Sequence, residues 1–403
     1  MLQSLHVPGT RAWTCVVALD AGSRVERAIE SGIGHLLEHL ALRGGHRYRG
    51  AREVGLAVQR LGGNLNGFIT HDLVAYHVTV RAEYALEALD LLLDIVGSPR
   101  LDPAELAVER DVVADEIAGR SDHPGVLADD LLDRALFGDH PLGRATVGSP
   151  EVVARLGADD LRAFHEHRYT TSSAVVVVAG DAAVSPRAEQ VAERLVQLRA
   201  ASPAEPCAPA PPPRTSHLYE RREGRRAQLR LGYRLQADLS SVRARAAFTV
   251  LAGVLGAPIA SRLSEDLRER RGLCYDVSAR PRVLSDAAVL EISAEVAAAK
   301  AKDVLALLGE HVERLRRDGA AEEEVEIVRR YTAGTRVLAF EHSRAVAQYA
   351  ARQTIVFGQV SNAEDAVRAA DAVTPDDVAD LVRSISEAVA SASVGPGDTD
   401  GSG

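Results

Sequence analysis

Gly34-His-Leu-Leu-Glu-His-Leu40 decides the reading of this 403-residue chain, because it sets two histidines and a glutamate in the order H-x-x-E-H. On an α-helix, residues four apart lie about 40° from each other around the axis, so His35 and His39 present both imidazoles on one face. That face suits a single cation. Glu38 falls about 60° from His35, too far round for a comfortable third ligand but well placed to take a proton from water on the metal. A hydrolytic zinc site commonly uses three protein ligands and leaves the fourth place to water, so a further ligand must come from elsewhere in the chain. With 13 histidines present, the same spacing also arises on surface helices that bind nothing.

Residues 101–120, LDPAELAVERDVVADEIAGR, read as a second helix, with Asp102 as N-cap, Pro103 in the first turn and Glu105 completing a capping box. Glu109 and Glu116, seven apart, lie about 20° from each other on the wheel and border the apolar face of Leu106, Val113 and Ile117. Carboxylates in that position usually edge a solvated face. The alternative is that Glu116 is the third ligand and Glu109 the acceptor that orients a ligand histidine.

Together these residues resemble the pitrilysin-like inverzincin zinc metallopeptidases, which include insulin-degrading enzyme and the mitochondrial processing peptidase, and in particular their short-chain branch. The family's glutamate ligand follows the motif at the separation seen here from His39 to Glu116, 116 − 39 = 77 residues. Ala21-Gly-Ser-Arg24, Gly62-Gly-Asn-Leu-Asn-Gly67 and Asp139-His-Pro-Leu-Gly143 match as well, and the match runs nearly end to end. The resemblance implies one Zn2+ per chain held by His35, His39 and Glu116, with Glu38 as general base and Glu109 as supporting acid. It also implies roles for Arg268 and Tyr275 in Asp266-Leu-Arg-Glu-Arg-Arg-Gly-Leu-Cys-Tyr275, where relatives carry an Arg and a Tyr seven apart that reach the substrate. A guanidinium or phenol there would stabilise negative charge developing on the attacked carbonyl oxygen. Read without the family, the stretch is a surface helix end with Gly272 as its C-cap. In relatives the segment equivalent to Asn66 and Gly67 lies along the cleft and pairs with an extended substrate by β-augmentation. Here Gly67 stands where many relatives have Ala, and Asp72 where they often have Glu. Relatives also begin with a strand ahead of the segment equivalent to Val7-Pro-Gly-Thr10; only residues 1–6 remain for it here, so that strand is expected to be shortened or absent.

Composition narrows the classes. A net charge of −10 argues against nucleic-acid binding. The three cysteines, Cys15, Cys207 and Cys274, lack C-x-x-C spacing and support neither a disulfide framework nor a cysteine metal site. No run of about 18 apolar residues spans a membrane and no basic-then-apolar signal pattern opens the chain, so the expected location is cytoplasmic. The remaining histidines have no ligand spacing to the motif and read as surface or packing groups.

Residues 199–217, RAASPAEPCAPAPPPRTSH, are too rich in proline for helix or sheet and read as an extended linker. Strands are expected at 12–19, 73–80, 174–179, 227–235 and 289–296, and helices at 244–255, 298–317 and 321–335. The two sides echo each other: Ala158-Asp-Asp-Leu-Arg162 with Pro375-Asp-Asp-Val378, and the helix of Glu109 and Glu116 with one carrying Val328 and Thr335 instead. The expected fold is α+β, two homologous halves joined by the Pro-rich linker. These are a zinc-binding half at 1–198, a metal-free half at 218–395 and a disordered tail at 396–403. In the family such halves close like a clamshell around a peptide. The expected activity is that of a zinc endopeptidase cleaving short or unfolded peptides by Glu38-assisted attack of water. The rival is a non-catalytic subunit of a heteromeric processing peptidase that binds a leader peptide. Partners follow accordingly: a peptide substrate, a homodimer or a heterodimer with a related chain, and neither nucleic acid nor membrane.

Overall fold

Runs rich in Val, Ala and Leu build two five-stranded sheets in the computed structural model, which describes residues 1–195, 198–200, 207–257 and 260–397. The first sheet comprises β1 (Leu2–His6), β2 (Ala12–Leu19), β3 (Asn64–Ile69), β4 (Val74–Arg81) and β5 (Ala174–Gly180), in the order β1-β5-β2-β4-β3. The second comprises β6 (Ser216–Arg221), β7 (Arg226–Leu235), β8 (Cys274–Val283), β9 (Ala288–Ala297) and β10 (Ile385–Gly395), in the order β6-β10-β7-β9-β8. Both orders follow one plan. Each pairs its first and last strands in parallel and is otherwise antiparallel, which puts the internal duplication into the backbone.

The opening strand, expected to be shortened or absent, is present with five residues. Leu2 to His6 pair in register with Val176 to Gly180, and the buried Gln3 amide donates to Thr354 Oγ1 at 2.5 Å. Five residues suffice because an edge strand needs only one neighbour's ladder.

Side chains alternate across each sheet, so each has two faces to cover. On the first sheet, the motif helix (Ile33–Arg43) and the helix Ala85–Gly97 cover one face. The other is covered by Ser343–Phe357, whose Val346, Ala347, Ala350 and Ala351 pack on Val16, Ala18, Ala75 and Val177. On the second sheet, Val242–Gly256 and Ala301–Asp318 cover one face, and Pro124–Phe137 covers the other through Leu132, Ala135 and Leu136 against Val289, Ala390 and Ala392. Gly232 in β7 permits this last approach, since a Cβ there would lie 3.1 Å from both Leu136 methyls.

The compact units therefore do not follow one cut in the chain. One unit is 1–117, 146–208 and 338–363; the other is 118–145, 209–337 and 364–403. Contiguous halves describe the two sheets, but each sheet takes a covering helix from the other half of the sequence. Of the linker, residues 201–206 lie outside the described residues, and 207–215 have no regular secondary structure. Its backbone is nonetheless held: Ala210 N–H donates to Asp286 (2.8 Å), and Pro211 O accepts from Arg234 (3.2 Å). The disordered tail expected at 396–403 falls, from residue 398 on, outside the described residues.

The second predicted helix runs from Pro103 to Asp122. Asp102 Oδ1 accepts from the N–H of Ala104 (2.8 Å) and Glu105 (3.4 Å). The reciprocal half of the expected capping box is replaced, because the Asp102 N–H donates instead to Arg100 O at 2.7 Å.

Candidate metal centre

The motif helix starts at Gly32 with φ 96°, a left-handed position that favours glycine, and Gly32 has no side chain with which to cap the turn. Glu26 supplies the cap. Its buried carboxylate accepts from Gly32 N–H (2.8 Å) and Gly34 N–H (3.0 Å), satisfying orphan donors and placing negative charge at the positive end of the helix. This fixes the turn from which His35 projects. Sequence reading missed Glu26, because it stands outside the helix with an irregular segment between.

His35 is buried and His39 half-buried, with ring centroids 4.6 Å apart at 78°. Glu116 Oε2 lies 3.5 Å from His35 Nε2 and 3.6 Å from His39 Nε2. Ligand atoms on a tetrahedral zinc with bonds of about 2.0–2.1 Å stand about 3.3 Å from one another. The two carboxylate-to-imidazole separations stand within a few tenths of an ångström of that value, and the donors are of the types zinc takes. The three donor atoms lie within 4.8 Å of one another and, among the described residues, form the one such group of three. His77, His140 and His165 stay outside it: His77 is buried in β4, His140 Nδ1 accepts from Leu142 N–H, and His165 Nε2 meets Val96 O at 2.8 Å.

His39 Nδ1 lies 2.9 Å from Glu109 Oε2. With a carboxylate as its neighbour that nitrogen carries the proton, which leaves the Nε2 lone pair directed at the cluster. Glu109 is itself buried and its other oxygen is paired with Arg43. Arg43 also escaped the sequence reading, although it lies one turn beyond His39 on the same helix. Glu109→Gln is expected to weaken zinc binding about 10- to 100-fold while leaving the fold intact. Competition against a fluorescent zinc chelator measures this, and unchanged affinity would remove Glu109 from the centre.

Glu38 is 7 % exposed, and burial pushes its carboxyl up to about 7, with His39 pulling it down and Glu116 adding repulsion. Space for it comes from Gly67 in β3. A Cβ on Gly67 would fall 2.7 Å from Glu38 Oε1, so the position where relatives often carry Ala is here in direct use by the carboxylate. Asn66 is exposed, and its side-chain oxygen accepts from Gly67 N–H at 2.9 Å. The two lie on β3, an edge of the first sheet.

Arg268 and Tyr275 belong to the other compact unit. They are brought together, with the guanidinium carbon 5.2 Å from the ring centroid. Arg268 lies not on an α-helix end but in a π-helix, Ser264–Arg270, closed by Gly272 at φ 58°. Tyr275 is 77 % exposed.

Two family models cover most of the chain: Insulinase (Peptidase family M16) matches residues 2–149, and the Peptidase M16 inactive domain matches 155–331. The chain belongs to the M16 peptidase family. It is 31 % identical over 377 residues to an uncharacterized zinc protease of Mycobacterium leprae, covering 93 % of this chain and 84 % of that one. An uncharacterized zinc protease of Bacillus subtilis is 29 % identical over 379 residues, 94 % and 91 % of the two chains. A solved protease from Helicobacter pylori has the same fold, with TM-score 0.87 and 22 % identity over 98 % of this chain and 96 % of that one. So does an M16 inactive-domain protein from Pseudomonas fluorescens, with TM-score 0.84 and 20 % identity over 98 % and 95 %. Among the described residues, no helix is long and apolar enough to cross a membrane.

Proposed function

We propose that this chain is a zinc metalloendopeptidase that hydrolyses short or unfolded peptides. The observation that carries the proposal is the convergence of His35, His39 and Glu116 donor atoms within 4.8 Å, with the Glu38 carboxylate buried alongside. His35 Nε2, His39 Nε2 and a Glu116 carboxylate oxygen would hold one zinc. When bound, zinc supplies Lewis acidity, which makes a water acidic near neutral pH and polarises a carbonyl. Glu38 receives the proton of the attacking water on a carboxylate oxygen and passes it to the departing amine nitrogen. β3 is an edge strand of the first sheet, and addition of an extended peptide to such an edge gives affinity without dependence on sequence. Incubation of the purified protein with a peptide library, with and without a metal chelator, tests the whole reading. Cleavage abolished by the chelator and restored by zinc is expected; peptide binding with no cleavage under either condition would instead make the chain a partner subunit.

Arg268 and Tyr275 are assigned to the oxyanion by their fit to the family pattern and by their mutual stacking. Arg268→Ala and Tyr275→Phe are each expected to keep zinc and lower kcat by about 10²-fold, the usual cost of a lost oxyanion donor. Equal kinetics in steady-state assays would return both to the surface.

The assembly proposed is a symmetric homodimer, because one chain carries both the zinc cluster and the Arg268–Tyr275 pair. Light scattering at micromolar concentration is expected to report a dimer that cleaves a short peptide and spares a folded protein. A fully active monomer would overturn the dimer, and equal cleavage of both substrates would overturn the restriction to short or unfolded peptides.

A further inference from the structure

We infer that Asp266 and His311 form a clamp that positions Arg268 and Tyr275, an inference that rests on those two residues serving the reaction. Two local irregularities carry it. Arg268 is presented by a π-helix whose widened turn is closed by Arg271 N–H to Asp266 O at 3.1 Å. Such turns are rare and appear frequently at functional sites. Tyr275 is the extra residue in a β-bulge: Cys274 pairs with Val296 and Asp276 with Glu295, leaving Tyr275 without a register partner. Bulges re-aim a side chain out of the ladder, and this one turns Tyr275 out to meet Arg268.

The Asp266 side chain ties the turn at both ends. Its Oδ2 lies 2.9 Å from His311 Nε2, and its Oδ1 accepts from Arg271 Nε at 3.0 Å. His311 is 5 % exposed and stands on the helix Ala301–Asp318, whose Val304, Leu308, Val312 and Leu315 belong to the second core. Asp266 thus fixes the inner side of the turn to the core while Arg268, two residues on, faces outward at 40 % side-chain exposure. Beyond the turn, Leu273 N–H donates to Leu267 O at 2.8 Å and leads the chain into β8. One carboxylate therefore holds the segment from which both Arg268 and Tyr275 project. Neither Asp266 nor His311 is assigned to touch substrate; they act through Arg268 and Tyr275.

The test uses the full-length, zinc-loaded protein and steady-state cleavage of one peptide. His311→Ala is expected to lower kcat about tenfold or more, with zinc content and KM unchanged, because small misplacements of a transition-state donor are costly. His311→Gln keeps an N–H donor toward Asp266 and is expected to recover most of the loss. In a background carrying both Arg268→Ala and Tyr275→Phe, His311→Ala is expected to cost nothing further, since the clamp then has nothing to position. If His311→Ala does not fold, Asp266→Asn replaces it in the same cycle. Full activity of His311→Ala beside a slow Arg268→Ala overturns the clamp alone, and so does a further loss from His311→Ala in the background that lacks both groups. Full activity of Arg268→Ala removes the oxyanion assignment and the clamp with it.

Discussion

Glu38→Gln is expected to bind zinc like the parent and to lose peptide hydrolysis by about 10²- to 10⁴-fold, the usual worth of a positioned general base. The amide is nearly isosteric, so it fits the space left by Gly67, where Glu38 already stands so close that a Cβ would clash at 2.7 Å. It cannot take a proton at neutral pH. The ligand atoms belong to other residues, so metal content measured by atomic absorption should stay at that of the parent. Burial adds a second effect: a carboxylate that is 7 % exposed bears a desolvation penalty which the neutral amide escapes. Glu38→Gln is accordingly expected to melt no lower than the parent, and somewhat higher. Activity lost with stability kept is the signature of a catalytic group. Normal hydrolysis by this variant would end the general-base assignment, whereas loss of both zinc and hydrolysis would recast Glu38 as part of the binding site.

What the sequence discloses about this centre follows the helix period. His35 and His39 share a face because four residues make slightly more than a turn, and Glu109 and Glu116 share one because seven make almost two. Those spacings needed no tertiary information, and the structure places His35, His39 and Glu116 together. Glu26 and Arg43 illustrate the opposite case. Each acts through a partner set by packing, Glu26 across an irregular segment to Gly32 and Gly34, and Arg43 onto a carboxylate of another helix. The helices exchanged between the two halves of the sequence were hidden for a related reason. Periodicity marks the apolar stripe of Ser343–Phe357 and says nothing of which sheet it covers, and the answer, the first sheet, lies more than 160 residues upstream. The π-helix and the bulge at Tyr275 leave no periodic trace either, since each differs from regular structure by a single inserted residue.

Removing a ligand is expected to be more severe than removing the base. His35→Ala, His39→Ala and Glu116→Gln should each reduce zinc from about one per chain to a trace, because two protein ligands rarely retain the ion, and peptide hydrolysis should vanish with it. Thermal stability separates loss of metal from loss of fold. A bound ion stabilises the folded chain by mass action, by about 2.7 kcal/mol when free zinc is a hundredfold above its Kd. Chelation should therefore lower the Tm of the parent and leave that of the three variants unmoved. The variants should also differ among themselves. His39 is braced by Glu109, which is paired in turn with Arg43, so its removal leaves a buried carboxylate with one partner fewer, and the metal-free protein should pay an additional stability cost. Glu116 is 40 % exposed at its side chain, and Glu116→Gln should melt close to the chelated parent. Near-stoichiometric zinc in any of the three, or a chelator-induced Tm shift that survives in all of them, would place the ion elsewhere on the chain and detach Glu38 from it.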